Sequence, residues 1–282
     1  MDEARGQRIL LEESVLIDST DENKGRILIL TINRPEKLNA LNNEVVSAIK
    51  KACIAAEKDD TIRVIIFTGA RPNIPREGKK SKPNAFIAGA DISEFKGKNS
   101  KDILQEFSDN CWEAVWNLNK PTIAMIDGFT LGGGCELAMS CDIRVASVRS
   151  VFGQPEINLG LIPGGGGTQR LTRLIGYGKS MELILSGEFI DAEEAYSFGL
   201  INHLCDSESL RNKTLELAKS IGSKSSHTLK IAKSAVRMAL NVPMEEAIKM
   251  EAKLFADLFD TEDKEIGVNA FLEREKPEWK GR

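Results

Sequence analysis

The sequence reads as an α/β protein that ends in an all-helical region, and three observations carry that reading. Two apolar, β-branched runs, residues 26–33 and 63–68, flank one amphipathic stretch, which implies a right-handed crossover between parallel strands. A third apolar run, residues 122–127, feeds a turn and then Gly132-Gly133-Gly134 at the start of a helix. Beyond Leu204 the strand signals stop and helical periodicity takes over.

Taken in order, residues 9–11 and 15–17 are strand-like, and residues 26–33 form a better strand bounded by Gly25 and Arg34-Pro35. Asn39 or Asn42 caps the next helix, whose apolar residues Val45, Val46, Ile49, Cys53 and Ile54 return at helical spacing. Residues 63–68 form a continuous apolar strand ended by Gly69. Residues 71–84 hold three prolines and five basic residues (Arg71, Arg76, Lys79, Lys80, Lys82) against Glu77 alone. That composition predicts a solvated surface loop, with a flap that grips a phosphorylated ligand as the sharper alternative.

Residues 85–92 are small and apolar, suited to close approach of backbone to a ligand. Residues 103–118 predict one amphipathic helix with Leu104, Phe107, Cys111, Val115 and Leu118 on a single face, and Trp112 and Trp116 as packing residues. After the triglycine, residues 143–146 read as a strand. The run Pro163-Gly164-Gly165-Gly166-Gly167-Thr168 then enters a helix. It lacks the Gly-Lys-Ser/Thr ending of a phosphate-binding loop, so it reads as a close-packed turn that brings a helix N-terminus to a site floor. Residues 207–275 alternate helical pattern with breaks at Gly222-Ser223, residues 241–243 and Asp260-Thr261. Met244, Ala247, Ile248, Leu254, Phe255, Leu258 and Phe259 exceed what one exposed helix needs, so this tail is expected to pack on a neighbour. The chain therefore divides into a core, residues 1–205, and a helical oligomerisation region, residues 206–282.

Composition excludes several classes of function. With 41% hydrophobic and 28% charged residues, the 282-residue chain has the makeup of a globular protein with a full core. A net charge of −4 without a basic face argues against nucleic acid as a partner. No apolar run approaches the roughly 18 to 20 residues of a membrane span. Residues 1–24 carry seven acidic side chains against three basic ones, unlike a targeting peptide, so cytoplasmic location is expected. The five scattered cysteines and two histidines lack metal-ligand spacing, so buried reduced thiols are expected and no metal site.

The chemistry concentrates between residues 121 and 156. A helix starting near Gly133 aims free N–H groups and a partial positive charge at whatever lies above it, which suits a developing oxyanion. Glu136, one turn inside that helix, is expected to be held ionised and to act as a base. Glu156, between Pro155 and Ile157, is expected to feel desolvation, which raises its pKa and suits proton donation. Such a set polarises a carbonyl and moves protons at its α and β carbons without a metal. No Gly-x-Ser-x-Gly elbow is present and neither His203 nor His227 has a nucleophile at hand, so triad chemistry is not supported. A nucleotide-binding module built on the glycine-rich turns is the competing class.

Four stretches in order resemble the enoyl-CoA hydratase/isomerase superfamily, the crotonases: Asn33-Arg34-Pro35-Glu36-Lys37-Leu38-Asn39-Ala40-Leu41, residues 85–92, Leu131-Gly132-Gly133-Gly134-Cys135-Glu136-Leu137-Ala138, and residues 152–156 through 162–171. The resemblance spans most of the chain and implies a spiral of repeated ββα units followed by a C-terminal helical trimerisation region. It implies an oxyanion hole made by the N–H groups of Ala90 and Gly133, holding the thioester oxygen of an acyl-CoA. It also implies that Ala88, Ala90, Asp91, Ile92 and Ser93 line the CoA pocket and that Lys37 contacts a phosphate. Phe271 and Arg274 would complete a neighbour's CoA site in a homotrimer or dimer of trimers. With both glutamates present, the hydratase branch is implied, Glu136 activating water and Glu156 protonating the α-carbon. Coenzyme A then arrives as part of the substrate, with no separate cofactor. A Δ3,Δ2-enoyl-CoA isomerase, which needs one base and no bound water, is the alternative within the superfamily. The long loop at residues 71–84 departs from the family pattern.

Overall fold

The computed structural model describes residues 8–72 and 82–282. Among the described residues ten strands and eleven α-helices follow one another, beginning with β1 Leu10–Asp18, β2 Asp21–Ile32, α1 Asn43–Lys58, β3 Ile62–Gly69, β4 Ala85–Ile87, α2 Ser100–Phe107, α3 Cys111–Trp116, β5 Thr122–Ile126, β6 Phe129–Leu131, α4 Gly133–Ser140, β7 Ile143–Ser147 and β8 Val151–Gly153. The second half continues with α5 Gly167–Ile175, α6 Tyr177–Ser186, β9 Phe189–Asp191, α7 Ala192–Ser197, β10 His203–Cys205, α8 Leu210–Gly222, α9 Ser226–Met238, α10 Met244–Asp257 and α11 Glu262–Glu273.

The strands form two sheets, a six-stranded one in the order β1-β2-β3-β5-β7-β10 and a four-stranded one in the order β4-β6-β8-β9. Among the described residues only the outer pairs β1-β2 and β8-β9 are antiparallel. The chain places β3, β5 and β7 in the large sheet and, after each, β4, β6 and β8 in the small one. Helices follow each pair, which is the repeated ββα spiral that the family resemblance implies.

Buried on both faces, the large sheet needs apolar residues at every position, and its central strands are therefore continuous runs. Leu28, Leu30, Ile32, Ile65 and Phe67 face a core shared with α1, α3 and α4. Their neighbours Ile27, Ile29, Val64 and Ile66 face a second core closed by Leu210 and Ala218 of α8. α8, which the sequence groups with the tail, thus packs on the sheet. The three breaks read in the tail fall at the junctions of α8, α9, α10 and α11. The residues these breaks leave exposed include Val236, Met244, Ile248, Phe255 and Phe271.

Three readings change. The strand-like pieces at residues 9–11 and 15–17 are one strand, β1. The turn at residues 128–131 contains a short strand, β6, paired with β4 and β8. The single helix over residues 103–118 is two, α2 and α3. Asn110 breaks it, its side chain accepting from Glu113 N at 2.8 Å and donating to Phe107 O at 2.8 Å, the local bonding by which Asn ends one helix and caps the next. Leu104 of α2 is consequently exposed rather than in the core. The five cysteines are free and buried. Among the described residues no helix is long and apolar enough to cross a membrane. The reading of the basic loop falls largely on residues 73–81, outside the described residues. At its two ends, Arg71 pairs with Asp127 at 3.0 Å and Lys82 donates to Glu36 O.

Candidate active site

Three neighbouring parallel strands of the small sheet end on the same side. β4 releases the segment from Ala88, β6 releases Gly132-Gly133-Gly134, and β8 releases Gln154-Pro155-Glu156. Parallel strands deliver the loops after their C-terminal ends to one place, so stretches far apart in sequence converge.

The first segment is held by the loop at residues 34–41. Ala88 N donates to Leu38 O at 3.1 Å, Leu41 N to Gly89 O at 2.9 Å and Asp91 N to Leu41 O at 2.7 Å. This bridge uses the N–H groups of Ala88 and Asp91 and the carbonyl of Gly89, and the Ala90 N–H is not among its donors. Leu38 and Asn39 both adopt left-handed backbone, φ 52° and 58°. Asn39 suits that conformation because its fully buried side chain donates to Ala70 O at 2.9 Å and Ala85 O at 2.8 Å while accepting from Arg34 N at 3.0 Å. Arg34 in turn donates to Ala40 O at 2.7 Å and pairs with Asp91 at 3.0 Å.

The second segment begins α4. The backbone turns at Gly132 with φ 48°, and a Cβ on Gly132 would stand 2.7 Å from Glu156 Oε1. A Cβ on Gly134 would overlap Ile87 O, so α4 starts flush against β4. Gly133 lies in the first turn of α4, where N–H groups lack intrahelical acceptors. The position of a Cβ on Gly133 is 3.7 Å from Ala90 N. Ala90 N therefore lies close to the Gly133 backbone at a helix N-terminus, where N–H groups and the helix dipole favour negative charge.

Beside them lie the two carboxylates. Glu136 is 2% exposed, and its Oε1 accepts from Gly167 N at 2.7 Å. Burial pushes its carboxyl up to about 7, against the pull of the Gly167 N–H, and the Glu156 charge adds to the rise. The expectation that the helix start holds Glu136 ionised is thus corrected: the cost of desolvation exceeds the partial charge of a helix terminus. Glu156 is half-buried, and desolvation raises its carboxyl too, in the expected direction. Gln154, fully buried, is placed by its hydrogen bonds with Nε2 toward Glu156, 3.2 Å from Oε1 and 3.1 Å from Oε2. The same amide lies 2.9 Å from a Cβ position on Gly167, so one glutamine connects the surroundings of both acids.

Of the residues named from the sequence, the structure gathers Ala88, Ala90, Gly133, Glu136 and Glu156. Asp91 sits in the same loop, but its carboxylate is occupied by Ser93 Oγ at 2.6 Å and by Arg34, which hold it below the usual carboxylate range. That carboxylate braces the loop from within, tying it to Arg34. Ile92 and Ser93 are exposed at the rim, as is Lys37 on the adjoining loop. Phe271, 84% exposed, and Arg274 stand at the end of α11, whose bonds run to Ser225 and the chain end, and the chain's own fold does not bring them to this site. Sequence reasoning missed Gly167 as a donor, Gln154 as the partner of Glu156, and Arg34 and Asn39 as braces. The glycine run did signal a turn at the site floor.

The fold defines an enzyme of the crotonase kind, and the chain belongs to the enoyl-CoA hydratase/isomerase family, whose model matches residues 22–282. It is 41% identical to the probable mitochondrial enoyl-CoA hydratase of Dictyostelium discoideum, over 93% of this chain and 90% of that protein. It is 39% identical to the short-chain-enoyl-CoA hydratase of Clostridium acetobutylicum, over 91% and 95% of the two chains. Among solved structures, an enoyl-CoA hydratase from Bacillus anthracis superposes with a TM-score of 0.85 at 32% identity, covering 98% of this chain and all of that one.

Proposed function

We propose that this chain is an enoyl-CoA hydratase, adding water reversibly to a trans-2-enoyl-CoA to give the 3-hydroxyacyl-CoA. What supports the reading is the pairing of two carboxyls raised by burial, Glu136 and Glu156, beside a helix start at Gly133 that lies close to Ala90 N. The thioester oxygen accepts from the N–H groups of Ala90 and Gly133, which draws electron density from the β-carbon. Ionised Glu136 takes a proton from water as the water oxygen bonds to that carbon. The displaced π electrons gather as an enolate on the thioester oxygen, where the two N–H groups stabilise them. The enolate then collapses as its α-carbon takes the proton of Glu156. Water has delivered OH to one carbon and the site has delivered H to the other, with both acids on one side for syn addition. The proton gained by Glu136 replaces the one lost by Glu156 before the next turnover.

Coenzyme A is carried in with the substrate and no further cofactor is required. Lys37, exposed beside the Ala88 loop, is assigned to a CoA phosphate. The exposed apolar side chains of α9–α11 support a homotrimer, single or paired, in which Phe271 and Arg274 reach a neighbour's CoA site. Hydration of crotonyl-CoA, followed by loss of the conjugated thioester absorbance, tests the activity beside Glu136→Gln and Glu156→Gln. Each variant is expected to lose about 10²-fold or more in kcat. Robust hydration by either, or faster isomerisation of a 3-enoyl-CoA than hydration of the 2-enoyl-CoA by the parent, overturns the assignment.

A further inference from the structure

Trp112 stands at the seam between the two halves of the site. It is 7% exposed, and its indole Nε1 donates to Gly133 O at 2.8 Å. Its Cζ2 lies 3.3 Å from the Cβ position on Gly133, while Cδ2 and Cε2 lie 2.5 and 2.6 Å from the Cβ position on Gly165. That same position on Gly165 is 2.8 Å from Glu136 Oε2. One ring therefore touches the start of α4, where the Gly133 N–H emerges, and the loop that runs to the Gly167 N–H on Glu136. Phe107 supports the ring from α2, stacked at 5.4 Å between centroids and 29° between planes.

The chemistry of Gly133 explains why such a contact matters. A glycine has the widest backbone freedom of any residue and no side chain to anchor it, yet here the direction of its N–H decides whether charge on an oxygen is stabilised. Gly133 sits between two further glycines, so its own neighbours restrain it little. A buried indole N–H bonded to the Gly133 carbonyl fixes the Gly133–Gly134 peptide and so restrains, from the far side of the Gly133 Cα, the Gly132–Gly133 peptide that carries the N–H. The flat ring, filling the notch over Gly165, sets the separation between the N–H pair and Glu136.

We propose that Trp112 is a positioning residue for the hydration reaction, its indole N–H anchoring the Gly133 carbonyl and its ring fixing the spacing to the Gly165–Gly167 turn that holds Glu136. The inference rests on the role given above to Gly133. A misdirected N–H weakens stabilisation of the enolate oxygen more than it weakens attachment of the CoA moiety, which is held elsewhere. Loss of the bond is therefore read in kcat, with KM little changed.

The test replaces Trp112 site-specifically with benzothienylalanine, which keeps the bicyclic shape and puts sulfur where the N–H was, alongside Trp112→Phe. Hydration of crotonyl-CoA and the absorbance of a bound 4-dimethylaminocinnamoyl-CoA are measured in each. The red shift of the latter reports polarisation of its thioester carbonyl. The isosteric variant is expected to lose about tenfold in kcat, the size of one buried hydrogen bond, with KM within about threefold, a diminished red shift and a thermal midpoint lowered by only about 2–4 °C. Trp112→Phe, which also opens the notch over Gly165, is expected to lose more. An isosteric variant that matches the parent in both kcat and red shift overturns the inference and leaves the hydratase reading standing. A parent that shifts the chromophore but hydrates nothing overturns the hydratase reading, and a smaller shift in the isosteric variant then still supports the inference. A parent that does neither overturns both.

Discussion

Glu136→Gln offers a test in which stability and activity move in opposite directions. The side chain is almost wholly buried, and its carboxyl is raised from an ordinary 4.5 to about 7. A carboxyl whose pKa is higher folded than unfolded destabilises the fold once it must ionise. Below pH 4.5 it is protonated in both states and contributes nothing. Between 4.5 and 7 the unfolded chain releases the proton while the folded chain keeps it, so stability falls as pH rises. Above 7 the full difference is expressed, about 3 kcal/mol at pH 8. Glutamine has the same shape, keeps an oxygen for the Gly167 N–H and carries no charge. The variant is therefore expected to be more stable than the parent by about 3 kcal/mol at pH 8 and by about 1 kcal/mol or less at pH 5. Urea denaturation of both proteins at the two pH values measures the difference, while hydration of crotonyl-CoA collapses. Equal stability at pH 8, or a gain independent of pH, would refute the argument that burial rather than the helix terminus governs this carboxyl.

Two further substitutions probe the scaffold of the N–H pair. Asn39→Ala removes two buried donors from Ala70 O and Ala85 O and leaves a left-handed backbone to an alanine; a loss of about 3 kcal/mol or more in chemical denaturation is expected. Gly134→Ala drives a methyl into Ile87 O and pushes α4 away from β4. Because a displacement of about 1 Å in the catalytic geometry costs on the order of 10²-fold, kcat for hydration is expected to fall by that factor.

Much of the architecture was legible because it depends on local chemistry. The continuous apolar runs at residues 26–33, 63–68 and 122–127 read as strands since a parallel sheet buried on both faces leaves no polar alternation. The tail breaks at Gly222-Ser223 and Asp260-Thr261 were visible because capping is local. Where a single polar side chain competed with periodicity, as at Asn110, the pattern misled, and one helix became two. The short strand β6 was hidden for a different reason, since three residues acquire strand geometry only from the partners β4 and β8 on either side.

The site divides along the same line. From the sequence alone came the glycine-rich helix start, the two acids and, through the motifs it shares with its family, the pairing of Ala90 with Gly133. These are matters of residue type and order. Which group holds which was decided only by the fold, because hydrogen bonds such as Gly167 N to Glu136, Gln154 to Glu156 and Trp112 to Gly133 join positions that no periodicity relates. The charge state of Glu136 was decided there as well. Sequence places it near a helix N-terminus, which favours the anion, but only tertiary packing determines how much water remains around a carboxylate, and here desolvation is the larger effect.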